Sequence, residues 1–98
     1  MKPYLAKIKT QLKAHLPELK KDFQIKELGI FGSVARGEER SESDVDIIVN
    51  FSDPPGFFRF IRLEEHLSNL LHRKVDLVTK NALKEVVKKE ILRQVTYV

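Results

Sequence analysis

The chain has 98 residues, 18 basic and 14 acidic side chains for a net charge of +4, and no cysteine. That length makes one small domain, expected to span residues 1–98, and leaves no room for a separate substrate-binding domain. The missing cysteines exclude disulfides, thiolate catalysis and Cys-ligated zinc, and no apolar run approaches the ~20 residues of a membrane span.

The N-terminal stretch MKPYLAKIKTQLK threads lysines through its apolar positions, unlike a signal peptide. A cytoplasmic protein with no membrane contact is expected. Residues 4 to 16 place Leu5, Ile8, Leu12 and Leu16 at steps of three and four, which predicts an amphipathic helix. Pro17 is expected to end it or to open one further turn to about Asp22. Glu27 to Phe31 reads as a short apolar strand running into the Gly32-Ser33 turn. Residues 34 to 43 are small or charged and show no core pattern.

Asp44 to Asn50, rich in β-branched residues, predicts a second strand. Ser52 to Gly56 is a loop, and residues 57 to 72 form a helix with Phe60, Leu63, Leu67, Leu70 and Leu71 on its buried stripe. Lys74 to Thr79 is a third strand. Leu83, Val87, Ile91 and Val95 recur at steps of four, predicting a C-terminal helix supported by a Glu85–Lys89 pair. The order predicts an α/β fold: a small mixed central sheet with helices packed on one face. His15, His66 and His72 fall in helical segments without ligand spacing and read as surface or helix-end residues.

Strand alternation locates the chemistry. Side chains at i and i+2 share a face, so Asp44 and Asp46 oppose Val45, Ile47 and Val49, while Asp76 opposes Val75 and Leu77. If the second and third strands are neighbours in suitable register, the three aspartates meet on one face. Taken singly, each has an ordinary explanation: Asp44 as a cap on the preceding turn, Asp76 as the partner of Lys74. Together they repel, which a cation relieves. Oxygen donors without His or Cys point to Mg²⁺, with Mn²⁺ also suited.

The Gly32-Ser33 turn supplies a complementary feature. Glycine permits close backbone approach to a phosphate, successive N–H groups form an anion nest, and the Ser33 hydroxyl adds a donor. A helix starting at about Val34 would point its N-terminus at the same anion. Arg36 and Arg40 either add charge-assisted contacts or belong to a solvated loop. The positive balance suits a polyanion, but lysines on solvated helix faces produce the same number.

Gly32-Ser33, ten intervening residues and then Asp44-x-Asp46 resemble the signature of polymerase-β-type nucleotidyltransferases. LGIFGSVARGE, DVDIIVNF and KVDLVT extend the likeness over about residues 25 to 80 to the minimal nucleotidyltransferase family. The resemblance implies that Gly32 and Ser33 hold the triphosphate of ATP, with Arg36, in the Ala-Arg-Gly element, beside it. It implies that Asp44, Asp46 and Asp76 bind Mg²⁺, and that Asp76 also activates the attacking hydroxyl. It further implies a HEPN-domain toxin as partner, with AMP transferred to a hydroxyl of that partner, a tyrosine, and the chain acting as antitoxin. Two other readings stay open: an antitoxin that neutralises its partner by binding alone, and a transferase acting on a nucleic-acid end or a small molecule.

Overall fold

The computed structural model describes residues 2–98. Helix α1, Pro3–Phe23, buries Ile8, Leu12 and Leu19, with Leu5 and Leu16 packed against them. It does not end at Pro17; the other expected outcome, a further turn to about Asp22, holds and reaches Phe23. The proline sits inside the helix on its exposed side, and the chain leaves helical geometry only at Gln24, in a left-handed conformation. An interior proline costs about 3 kcal/mol. Burying Leu19 and packing Phe23 on the core contribute about 1.5–3 kcal/mol each when complete, so continued packing outweighs the break.

Strand β1, Ile25–Phe31, starts two residues earlier than expected because Ile25 is buried, and a register shift between Ile25 and Glu27 absorbs the extra residue. A five-residue helix α2, Gly32–Arg36, follows directly. Then come β2, Val45–Phe51; α3, Phe57–Leu71; and β3, Val75–Thr79, so Asp44 and Lys74 lie just ahead of their strands. A single 3-10 turn, Lys80–Ala82, leads to α4, Glu85–Gln94, and a two-residue strand β4, Thr96–Tyr97.

The C-terminal segment departs most from expectation. Helix α4 contains no buried residue, and Val86 is 83% exposed. The expected Glu85–Lys89 pair is not formed; Glu90 pairs with Arg93 instead, at 3.5 Å. Val95 lies past the helix, and its Cγ1 occupies the space above Gly29, 2.5 Å from where a Cβ at that glycine would stand. The tail then pairs with β1, Tyr97 opposite Gly29 and Thr96 opposite Ile30. The four-residue apolar spacing that suggests one long helical stripe instead serves a short helix and a strand.

The sheet order is β3-β2-β1-β4, with β2 and β3 parallel and the other pairs antiparallel. Val45, Ile47 and Val49 join Leu28, Ile30, Val75 and Leu77 on the face covered by α1 and α3, where Leu63, Leu67 and Leu71 complete the core. The strand β3 forms one margin of the sheet. There the amides of Val75 and Leu77 donate to the Ser68 hydroxyl at 3.0 Å and to the Glu64 carboxylate at 2.9 Å, side chains four residues apart on α3. Among the described residues no helix is long and apolar enough to cross a membrane.

Candidate active site

The face of the sheet away from α1 and α3 carries the aspartates. The β2–β3 register pairs Asp46 directly with Asp76. Neighbouring strands lie about 4.8 Å apart, and Asp44 is about 7 Å from Asp46 along the chain. The condition left open by the sequence, that these strands be neighbours in register, is met. Asp44 and Asp46 are half-buried and Asp76 is exposed. Among the described residues no three His, Cys, Asp or Glu side chains are drawn close enough together to hold a metal ion. The aspartates therefore share a patch without having converged on one point.

Their crowding has an electrostatic signature. The Asp46 carboxyl is raised above its ordinary range, chiefly by burial and then by the negative charges of Asp76 and Asp44, with Arg36 opposing the shift. Lys74 reaches Asp44 rather than Asp76, and only loosely, at 3.9 Å with its own side chain well exposed. An exposed pair of this length stabilises little. Among the described residues the negative charge on this face is thus incompletely compensated.

The Gly32-Ser33 turn stands against the same patch. Phe31, the last residue of β1, pairs with Asp46. Gly32 then turns with φ 72°, and a Cβ there would collide with the Asp46 carboxylate. Only glycine satisfies both the backbone conformation and this contact. Val34 and Ala35 are buried, so the segment read as patternless is anchored by two small apolar residues. The turn closes at Gly37, φ 73°, whose amide donates to the Val34 carbonyl while that of Glu38 donates to the Ser33 carbonyl. With only five residues, α2 has a slight dipole, so the donors this turn could offer an anion are its amides and the Ser33 hydroxyl.

Arg36 is exposed, and its side chain is tethered at two points. Its Nε donates to Glu38 at 2.9 Å and its Nη1 to the Gln94 side chain at 2.9 Å. Gln94 lies 58 residues along the chain, and no spacing in the sequence could have announced the contact. Ser43, rather than Asp44, caps the preceding turn: its hydroxyl accepts from the Arg40 amide at 2.8 Å. The three histidines are exposed, as expected. An apolar cavity of about 520 Å³ between Phe51, Phe57, Phe60, Leu77 and Leu83 contains none of the aspartates, nor Gly32 or Ser33. The aspartates and the Gly32-Ser33 turn lie apart from this cavity.

A profile of the nucleotidyltransferase domain family matches residues 12–98. The chain is 48% identical over 94 residues to the protein adenylyltransferase MntA of Thermococcus cleftensis, an alignment covering 96% of this chain and 95% of the relative. Its structure superposes on that of a candidate minimal nucleotidyltransferase with a TM-score of 0.80 at 32% identity, covering 94% and 93% of the two chains. A toxin–antitoxin structure with AMP-PNP matches with a TM-score of 0.70 at 25% identity, covering 95% of this chain and 70% of that one.

Proposed function

Given that the chain belongs to the nucleotidyltransferase domain family, we propose that it transfers AMP from ATP to a hydroxyl, a tyrosine, of a HEPN-domain toxin and so acts as an antitoxin. The observation that carries this reading is the pairing of Asp46 with Asp76 across β2 and β3, with Gly32 pressed against the Asp46 carboxylate. On this reading the phosphate-binding turn and the carboxylates belong to one site. The relatives named as an adenylyltransferase and as a toxin–antitoxin with AMP-PNP support the choice of an adenine nucleotide and of a toxin as partner.

The donor set fits a hard divalent cation: three carboxylates, one with its proton affinity raised by burial and then by its two acidic neighbours, and no fully compensating cation among the described residues. Asp44, Asp46 and Asp76 would hold Mg²⁺ or Mn²⁺. When bound, the ion neutralises triphosphate charge and lowers the cost of placing polyanion and carboxylates together. Turn amides beginning at Gly32 and the Ser33 hydroxyl orient the triphosphate. Arg36, tethered to Glu38 and Gln94, adds a positive rim. Asp76, the most exposed of the three, accepts the proton of the attacking hydroxyl. The acceptor oxygen bonds to the α-phosphorus, the bond to the β-phosphate oxygen breaks, and pyrophosphate leaves with that electron pair.

Asp76→Asn tests the assignment of the base. Asparagine keeps the shape and cannot take the proton, so turnover should fall about 10²-fold or more while calorimetric affinity for Mg²⁺·AMP-PNP changes little. Equal losses in both would make Asp76 chiefly a ligand.

The partner is tested by intact-mass spectrometry of a HEPN protein co-expressed with wild type or with Asp44→Ala. Added mass in steps of one AMP, present only with wild type, is the expected result. An unmodified partner whose RNase activity is nonetheless silenced would favour inhibition by binding alone. Label from radioactive ATP appearing on RNA would favour a nucleic-acid acceptor.

A further inference from the structure

Between the phosphate-binding turn and the first aspartate lies the polar stretch from Gly37 to Ser43. Nothing in its own sequence gives it a core to hold. It is closed on itself by two hydrogen bonds: the Arg40 amide donates to the Ser43 hydroxyl, and the Ser43 amide to the Arg40 carbonyl at 3.0 Å. The carbonyls of Arg40 and Ser43 both accept from one distant group, Nη2 of Arg73, at 3.3 and 2.5 Å. Arg73 lies in the turn between α3 and β3, and its guanidinium stacks over the Tyr4 ring of α1, 5.3 Å from the centroid. Its own amide donates to the Ser68 carbonyl, closing the end of α3.

The Ser43 carbonyl belongs to the peptide group that leads into Asp44. On the other side of Asp44, the Val45 amide donates to the Lys74 carbonyl at 2.9 Å. Consecutive residues, Arg73 and Lys74, thus hold the backbone on both sides of the aspartate. The second clamp is main chain and survives any side-chain change; the first depends on a guanidinium. Arg is suited to it because Nη2 can serve both carbonyls while the planar guanidinium that carries it lies over the Tyr4 ring, a stacking that a lysine ammonium does not reproduce.

We infer that Arg73 is a positioning residue that sets the orientation of Asp44 for divalent-metal binding, acting through the Ser43–Asp44 peptide with Tyr4 as its platform. The inference rests on the metal-binding reading of the three aspartates and names a residue outside the Gly-Ser and Asp-x-Asp elements. The contacts of the Arg73 side chain are with Arg40, Ser43 and Tyr4, so its part is to place Asp44 rather than to ligate. Losing it frees the Arg40–Ser43 turn, and the direction of the Asp44 carboxylate with it.

The test is calorimetric titration of Mn²⁺ in the presence of saturating AMP-PNP, at a temperature where circular dichroism shows each variant folded. Arg73→Met should lose about 10- to 100-fold in Mn²⁺ affinity, the range for removing groups that orient metal ligands. Arg73→Lys should fall between, and Tyr4→Phe, which keeps the ring, should match wild type. A residue needed only for folding would lower the melting temperature without moving this affinity. Wild-type binding with unchanged affinity in Arg73→Met overturns the inference alone. Wild type that binds no Mn²⁺ overturns the metal reading and this inference with it. If Arg73→Met does not fold, Arg73→Lys against wild type decides, equal affinity overturning the positioning role.

Discussion

Replacing Asp46 with alanine is expected to reduce AMP transfer by about 10³-fold or more, because metal stabilisation of developing charge is worth several kcal/mol and each ~1.4 kcal/mol is a factor of ten. Asp44→Ala should behave likewise. The fold should survive, since neither side chain belongs to the buried apolar core. Without metal the effect on stability reverses. The Asp46 carboxyl is raised in the folded protein by burial and by Asp76 and Asp44, so ionising it opposes folding. A group of this kind contributes its full stability below its unfolded value and loses it as pH rises through its folded value. Asp46→Asn removes that loss. In EDTA at neutral pH it should therefore melt at or above the wild-type temperature, with the gap narrowing toward pH 4. Full transfer by an Asp44→Ala, Asp46→Ala double variant would remove the carboxylates from the mechanism.

The second large effect belongs to Gly32→Val. The position holds φ 72°, and any Cβ placed there strikes the Asp46 carboxylate. The backbone penalty for an L side chain in that region is about 1–2 kcal/mol, and overpacking adds about 1–3 kcal/mol. Melting temperature should fall, and affinity for Mg²⁺·AMP-PNP should fall by about 100-fold or more, because the substitution displaces an aspartate as well as crowding the phosphate. Gly56→Ala separates the two causes: it also has a positive φ, 58°, but a Cβ there meets nothing within 4 Å. It should cost some stability and leave nucleotide affinity intact. Unchanged affinity in Gly32→Val would make the turn a structural feature only.

The aspartate face was legible because two rules of short range determine it. Alternation along Asp44 to Asn50 and along Lys74 to Thr79 assigns each side chain to a face, and the order of elements leaves few ways to lay those strands together. The parallel Asp46–Asp76 pairing then follows. What the sequence left open or misplaced has longer-range causes. Pro17 is a local breaker, and which of its two expected outcomes holds, an end or a further turn to about Asp22, is decided by Leu19 and Phe23 packing on the core. Val95 to Val98 carry no periodicity of their own; the missing side chain of Gly29 creates the berth they fill. Arg36 has a recognisable neighbourhood in sequence, but its tether to Gln94 exists only because α4 packs beside α2. Val34 and Ala35 are too few to show a pattern, although together they seat the turn.

A sheet whose last strand exposes unsatisfied amides invites a further strand from a neighbouring chain, and repeated addition ends in aggregates. Here the outward amides of Val75 and Leu77 are already engaged by Ser68 and Glu64. The carboxylate does more than occupy a donor: an incoming strand would have to displace it and leave a negative charge without its partner. The strand that carries Asp76 is thus quarantined from strand exchange while its opposite, aspartate-bearing face stays open to solvent. Whatever meets that open face therefore meets side chains rather than a sticky row of backbone.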